Sequence, residues 1–310
     1  YDVALNFDNT YYKAHNSKGI AHSSIGEIQK AIVHFNKSLE INPNYANAYL
    51  NLAGSVSESQ KSIENLEACL EIDSGFVTAQ LLLCALQYFA GNKSSFDHLV
   101  KTPLTRHPIM RSLIWCADLD YTPKLLINRW DFFDYVTSCS IQDRPFYEFG
   151  VWRGEAFKYL INTYKTGYGF DTFQGLPETW HSQPKAAYSS DGNVPKITGG
   201  QFVVGKFEDT LPKFFEKQRP MAALINFDAD LYSSTICALE NCESIIDENT
   251  ILVFDEFLIN SSWELDEYKA LNEFCENNNL RYEVVAFSFF TKQVAVKVSQ
   301  KKNSLRRPSA

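Results

Sequence analysis

From Phe146 to Val298 short apolar runs alternate with amphipathic stretches, and several of those runs stop on a glycine or a carboxylate. No other feature restricts the fold as tightly. It recurs in Tyr147-Glu-Phe-Gly-Val-Trp-Arg-Gly154, in Tyr168-Gly-Phe-Asp171, and in the acidic strand ends Asp228 and Asp255. Runs of this length read as strands, and strand and helix in alternation build a parallel sheet that delivers its ligand-binding groups at the C-terminal edge. The expected order is strand 146–150, helix 154–164, strands 168–171 and 202–205, helix 209–217, strand 222–228, helix 233–246, strand 251–256, helix 263–278, then strands near 281–287 and 292–298 with an antiparallel ending.

Gly150 and Gly154 mark the first strand-to-helix turn, where a missing side chain lets backbone approach a ligand that faces the next helix N-terminus. Asp171 ends the following strand about twenty residues on, the separation at which an acidic side chain meets ribose hydroxyls. A nicotinamide turn would carry G-x-G-x-x-G. Here Glu148, Gly150 and Gly154 form E-x-G-x-x-x-G, the turn that class I S-adenosylmethionine-dependent methyltransferases use.

Four further segments carry a closer resemblance: Gly169-Phe-Asp-Thr-Phe-Gln-Gly-Leu-Pro-Glu178, Gly205-Lys-Phe-Glu-Asp-Thr-Leu-Pro212, Asp228-Ala-Asp-Leu-Tyr-Ser-Ser-Thr235 and Phe254-Asp-Glu-Phe257. In this order the region 146–298 resembles the macrocin/mycinamicin sugar O-methyltransferase family. The resemblance implies that Glu148, Gly150 and Gly154 form the methionine-side turn. It makes Asp171 the ribose ligand, lines the pocket with Thr172 and Phe173, and sets Lys206 and Phe207 beside the adenine. It also implies a divalent ion, magnesium, held by Asp228, Asp255 and Glu256. The logic of that set stands by itself, because hard oxygen ligands on two adjacent strand ends leave part of an octahedral shell for a substrate diol and water. Asp228 is the expected catalytic base as well as a ligand, with Asp230 as its alternative. The family commonly has Asp-Asp where this chain has Asp255-Glu256. The long segment 174–201 reads as an active-site cover, with Trp180 and His181 as its substrate contacts.

The first hundred residues repeat. Lys30-Ala-Ile-Val-His-Phe-Asn-Lys-Ser-Leu-Glu-Ile-Asn-Pro-Asn-Tyr45 aligns with Lys61-Ser-Ile-Glu-Asn-Leu-Glu-Ala-Cys-Leu-Glu-Ile-Asp-Ser-Gly-Phe76, apolar position on apolar position. Residues 12–45 set Gly19, Gly26, Ala31, Phe35 and Pro43 where a 34-residue tetratricopeptide repeat has its small, small, Ala, aromatic and Pro positions, so this part resembles that repeat family. A second copy covers about 46–76 and a third begins near Val77. Phe7-Asp-Asn-Thr-Tyr11 mimics Ile41-Asn-Pro-Asn-Tyr45, from which we expect Tyr1 to fall inside an earlier repeat of a longer chain. Stacked helical pairs present a groove to a partner protein, or serve as a prop for the catalytic half.

The formal net charge of -8 argues against a surface that grips nucleic acid through phosphates. Seven scattered cysteines without a C-x-x-C pair suit buried thiols in a reducing compartment rather than disulfides or zinc. No apolar run reaches the ~18 residues of a membrane span and no charged-then-apolar leader is present, so a cytoplasmic protein is expected. The whole reads as α + α/β: tetratricopeptide-like helices over 1–110, a linker over 111–128, a Rossmann-like class I methyltransferase domain with a mostly parallel seven-stranded sheet over 129–299, and a disordered basic tail over 300–310. The expected activity is methyl transfer from S-adenosylmethionine to a sugar or glycan hydroxyl. The alternatives are a metal-dependent enzyme for a catechol-like diol, and a catalytically silent fold that serves the repeats as a binding scaffold.

Overall fold

The computed structural model of the chain describes residues 2–301. They divide into two compact units: the described residues up to 135 with 258–261 and 286–293, and residues 136–257 with 262–285 and the described residues from 294 onward. The expected tail lies outside the described residues from position 302 onward.

The first unit is built from antiparallel helical pairs: α1 (Asp2–Phe7), α2 (Tyr12–Ser24), α3 (Ile28–Ile41), α4 (Ala46–Ala53), α5 (Ser59–Ile72), α6 (Val77–Phe89) and α7 (Ser94–Leu99). Ala31 and Phe35, one turn apart on α3, are fully buried in a cluster with Leu52. Gly19 of α2 lies against that ring so closely that an added Cβ would stand 2.5 Å from Phe35 Cε1. The helices therefore pack at a separation that only glycine permits at this point. Two polar ties fix the register: Ser38 Oγ donates to the Tyr12 carbonyl at 2.8 Å, and Asn51 Nδ2 donates to Asn16 Oδ1 at 2.9 Å. Helix α6 is the central member, with Leu81, Leu82, Cys84, Ala85 and Leu86 buried on several sides.

The segment expected as a linker contains regular structure: α8 (Pro108–Ala117) and the two-residue strand β1 (Lys124–Leu125). Pro108 occupies the first helical turn, where its missing N–H costs no hydrogen bond, and Met110 and Leu113 bury the inner face. Prolines that suggested an irregular connection here act as a helix start. Asn128 Oδ1 then accepts from the N–H groups of Trp130 and Asp131 and caps α9 (Arg129–Ser138). The rings of Phe287 and Phe289 pack within this unit against Phe89, at 5.0 and 6.1 Å between centroids.

The remaining elements are β2 (Phe146–Phe149), α10 (Glu155–Tyr164), β3 (Gly167–Asp171), β4 (Gly200–Val204), α11 (Phe207–Phe215), β5 (Leu224–Phe227), α12 (Tyr232–Cys242), β6 (Ile251–Phe254), α13 (Glu267–Asn277), β7 (Leu280–Phe287) and β8 (Val294–Gln300). Their sheet has the order β1-β7-β8-β6-β5-β2-β3-β4, eight strands where seven were expected, the extra one being β1. The pairs β2–β3, β3–β4, β2–β5 and β5–β6 are parallel and β6–β8 is antiparallel. Every residue of β2, β5 and β6 is buried, as a parallel sheet covered on both faces requires. This is a mostly parallel, Rossmann-like sheet. Its order turns back between β2 and β5, the kind of switch point outside which open α/β sheets bind ligands.

All seven cysteines are free thiols, and no helix among the described residues is long and apolar enough to cross a membrane.

Candidate active site

One row of side chains lays out the carboxyl edge of the second unit. Phe170, Phe149, Phe227 and Phe254 stack across β3, β2, β5 and β6, with neighbouring ring centroids 4.8, 5.4 and 4.8 Å apart and near-parallel planes. They are register partners: Phe149 pairs with Phe170 and with Phe227, and Phe227 with Phe254. The residue that follows each of them is Asp171, Gly150, Asp228 and Asp255 respectively. In-register pairing thus brings the four strand-end residues singled out in the sequence onto one rim, across the switch point.

Gly150, at φ +90°, is held by close approach. A Cβ there would stand 1.9 Å from the Asp228 carbonyl oxygen, so the exits of β2 and β5 touch through backbone alone. Gly154, at φ +75°, is the N-cap residue of α10, where a Cβ would meet Pro195 and Ile197 at 3.2 Å. Between the two, the Asp171 carboxylate ties the turn down. Its Oδ2 accepts from the N–H groups of Val151 (2.8 Å) and Trp152 (2.7 Å), and its Oδ1 accepts from Phe173 N–H at 2.7 Å. Three of about four acceptor sites on this carboxylate are therefore used by backbone, leaving one lone pair on Oδ1 for a ligand hydroxyl. Asp171 is first a strap for the glycine turn.

Glu148 is 1 % exposed and sits on the sheet face opposite the phenylalanine row, where its Oε1 accepts from Asn226 Nδ2 at 2.9 Å across the β2–β5 pair. Thr172 Oγ accepts from Gln174 N–H at 3.1 Å. Phe173 is fully buried in the left-handed region, with its ring near Phe202. Phe207 packs edge-on against Phe149 behind Gly150, while the Lys206 ammonium lies at the surface, 3.3 Å from Glu208. Neighbouring placements thus differ in kind: Phe207 backs the rim and Lys206 faces solvent.

Five carboxylates crowd the other side of the rim. Asp228 and Asp230 follow β5, Asp255 (6 % exposed) and Glu256 follow β6, and Glu267 opens α13. Glu267 has no exposed surface. Its Oε2 accepts from Glu256 N–H at 2.9 Å, and its Oε1 has no hydrogen-bond partner. Burial pushes its carboxyl well above the usual range, and the like charges of Asp255, Asp230 and Glu256 push the same way. Tyr188 is raised too, by burial first and then by Asp230, Glu256 and Asp228, which puts its phenol beside the same group of acids. A buried acidic oxygen without a donor, among other acids, calls for a proton or a cation. Among the described residues, however, no three His, Cys, Asp or Glu side chains are gathered as a ready metal shell. The donor chemistry suits a hard divalent ion without yet forming its cage.

The 174–201 segment packs its Leu176 and Trp180, with Ala187 alongside, into a small core with Leu231 from the connection between β5 and α12. Trp152 of the glycine turn meets Tyr188 edge-on at 5.7 Å and donates its indole N–H to the Ser189 carbonyl at 3.2 Å. On the far side His181 Nε2 lies 3.0 Å from Asp266 Oδ2, and Ser233 Oγ donates to Glu178 Oε1 at 3.1 Å. Burial raises the Asp266 carboxyl, and its bond to His181 offsets part of that. Five non-glycine residues in and beside the segment, Phe173, His181, Ala186, Tyr188 and Asp191, have positive φ, a concentration of backbone strain that is typical of ligand clamps. Trp180 is buried within the segment and His181 is engaged by Asp266, so both of the expected substrate contacts hold the cover in place. Glu267, Asp266 and Trp152 were not picked out by the sequence reading. Only their partners, 11, 85 and 37 residues away, reveal them.

Comparison with known proteins gives two kinds of likeness. The tetratricopeptide repeat family matches residues 12–45. No curated protein matches the chain. Among solved structures, the O-methyltransferase NovP is 18% identical, covering 55% of this chain and 80% of its own, with a TM-score of 0.42. The calicheamicin methyltransferase CalS11 is 18% identical over 73% of this chain and 92% of its own, with a TM-score of 0.45. An O-methyltransferase from Bacillus cereus in complex with SAH is 14% identical over 67% and 97%, with a TM-score of 0.37. At such scores they stand as likenesses only, and the description of the sheet rests on its own strand order.

Proposed function

We propose that the second unit is an S-adenosylmethionine-dependent O-methyltransferase that acts on a hydroxyl of a sugar or glycan-type acceptor. The observation that carries this reading is the phenylalanine row, which sets Gly150, Asp171, Asp228 and Asp255 side by side at the switch point. The glycine turn fits a cofactor tail, since no Cβ is tolerated at Gly150 and α10 begins directly behind it. The remaining lone pair of Asp171 suits a ribose hydroxyl. Phe207 and Lys206 flank the adenine side, and Glu148, Thr172 and Phe173 support the turn from beneath.

A rim rich in carboxylates attracts both a sulfonium and a divalent cation. S-adenosylmethionine supplies an electrophilic methyl group on that sulfonium. Asp228 takes the proton from the acceptor hydroxyl at its carboxylate oxygen, with Asp230 as the neighbouring alternative, while the cover excludes water from the reacting pair. Asp228, Asp255 and Glu256 would hold a magnesium-like ion, whose chemistry there is to acidify the hydroxyl and orient an adjacent one. The repeat unit supplies a groove for a protein partner. With seven free thiols the protein is assigned to a reducing, cytoplasmic setting.

Calorimetry with S-adenosylhomocysteine and with magnesium tests the site. Asp171→Ala should weaken the first ligand at least tenfold and Asp255→Asn the second. Unchanged affinities in both variants would overturn the assignment. Turnover to S-adenosylhomocysteine with sugar-nucleotide and catechol panels decides the acceptor class, and absence of turnover with every hydroxyl acceptor favours the scaffold alternative.

A further inference from the structure

Two aromatic rings of the second unit stand where folding stability gives no reason for them. Trp152, in the glycine turn, and Tyr188, in the cover, keep 39% and 42% of their surface exposed, and both lie in the left-handed region, at φ +49° and +59°. That conformation is costly for a bulky side chain, and burial of a ring left this exposed offsets little of the cost. The rings meet edge-on, 5.7 Å between centroids with planes 76° apart, and so form the two walls of a corner. The Arg153 guanidinium lies over the Trp152 ring, 4.7 Å from its centroid, which makes Tyr188 the wall offered to a ligand.

The backbone on each side of Tyr188 is fixed. The Ala187 carbonyl accepts from Leu176 N–H at 2.9 Å, and a Cβ on Gly175 would stand 2.3 Å from that same oxygen. The Ser189 carbonyl accepts the Trp152 indole N–H, while Ser190 and Gly192 donate their N–H groups to the Phe173 carbonyl at 3.3 and 2.9 Å. The N–H groups of Phe173 and Trp152 in turn end on the two oxygens of Asp171. One carboxylate thus holds both walls, Trp152 directly and Tyr188 through Phe173. Strain that neighbours over-determine in this way marks a side chain placed for a contact.

The acids around the phenol indicate what that contact is with. After burial, the charges that raise the Tyr188 phenol are those of Asp230, Glu256 and Asp228, so these carboxylates surround its hydroxyl end. An aromatic face beside several carboxylate acceptors complements a ligand with a C–H surface and a rim of hydroxyl donors, and a sugar ring has both. A catechol has a flat face too, but only two hydroxyls to divide among three acids. We propose that Tyr188 is the acceptor-contacting residue of the rim: its ring lies against the C–H face of a sugar and turns the hydroxyls of that sugar toward Asp228 and Asp230, with Trp152 as the brace that sets the ring. This rests on the methyltransferase reading above and adds to it the residue that selects a sugar. The corner runs from the glycine turn, where the methyl donor is assigned, to the assigned base, so an acceptor seated on it has its hydroxyl between the two. Tyr188 takes the part in the cover that Trp180 and His181 were expected to play.

The test is saturation-transfer NMR of the full chain, with S-adenosylhomocysteine bound, against methyl glycosides of glucose, galactose, mannose and rhamnose and against catechol. Saturation of the aromatic protons of the protein should reach C–H protons on one face of at least one glycoside. Tyr188→Leu should weaken that glycoside about 3–10-fold and abolish the face-selective transfer, whereas Tyr188→Phe, which keeps the ring, should hold it within about twofold. Trp152→Phe gives up the bond to Ser189, and its effect on glycoside affinity should vanish in the Tyr188→Leu background, since a brace acts only through the ring it sets. Circular dichroism and calorimetric S-adenosylhomocysteine affinity should be unchanged in Tyr188→Leu; loss of both ligands there would make the residue structural and overturn the proposal. Equal glycoside affinity in Tyr188→Leu, binding of catechol alone, or binding of no glycoside overturns the subsite while the methyltransferase reading stands. Failure of the unmodified chain to bind S-adenosylhomocysteine overturns that reading, and the subsite with it.

Discussion

Gly19 and Gly150 both exist because something occupies the place of a Cβ, yet the occupants differ between the two units. At Gly19 the neighbour is the Phe35 ring, 2.5 Å from the missing atom. A ring belongs to a side chain, which can turn aside at the expense of packing. At Gly150 the neighbour is the Asp228 carbonyl oxygen, 1.9 Å away, and the residue has positive φ. Backbone locked into a parallel sheet cannot give way. The repeat unit thus uses glycine to set a packing distance, and the α/β unit uses it to bring two strand exits together at the proposed ligand rim. Defects in the first should appear as lost stability and defects in the second as lost binding and turnover.

The sharpest test of that contrast is Asp228→Asn, which keeps the shape of the rim and removes the proposed base. Turnover should fall about 10²–10⁴-fold with the melting midpoint unchanged. A variant that unfolds instead would make Asp228 structural. Next comes Phe35→Ala, expected to cost about 3–5 kcal/mol in denaturant unfolding of the first unit while leaving S-adenosylhomocysteine affinity intact. Loss of affinity there would show that the repeats are needed to build the rim. Gly150→Ala against Gly19→Ala compares the two uses of glycine directly. The second should cost about 1–3 kcal/mol by overpacking, and the first more, with cofactor binding abolished. Equal effects would mean that the β2 exit relaxes as easily as a helix pair.

The smallest effect concerns the turn before β6. The Arg144 guanidinium, 2.8 Å from Asp247, holds that carboxyl below its usual range, and the Asn249 backbone N–H and the Thr250 hydroxyl, both donating to it, add to the shift. A carboxyl lowered on folding stabilises the protein at every pH above its unfolded value near 3.8, and the contribution fades as pH falls through the lower folded value. Asp247→Asn should therefore cost about 0.5–1 kcal/mol at neutral pH, and the gap from the unmodified chain should close in acid unfolding curves as pH falls below 3.8 through the lower folded value.

Much of the second unit was legible from its residues. Strands β2, β5 and β6 lie within the expected runs, and β3 starts one residue before its own, because four or five apolar residues bounded by glycine or carboxylate admit little else. Ends were less readable: the run to Glu256 stops as strand at Phe254, where Asp255 and Glu256 leave the ladder for the rim. The prolines at 103 and 108 misled, since proline reads alike as a break and as a first helical turn until the following helix finds a face to bury. In the cover, Tyr188 and His181 adopt positive φ without being glycine, which neighbouring contacts impose and local preference does not.

Sequence alone determined the order of elements, the glycines that no other residue could replace, and which residue types stand at the strand ends, because these follow from local periodicity and sterics. Tertiary structure decided what each group is bonded to. Asp171 proves to be a strap for three backbone amides, Glu267 a buried acid behind the rim, and His34 the middle ring of a stack whose outer members lie on another helix. The reason is that burial and hydrogen bonding depend on what packs from distant parts of the chain, and a one-dimensional pattern carries the preference of a residue for partners without naming them.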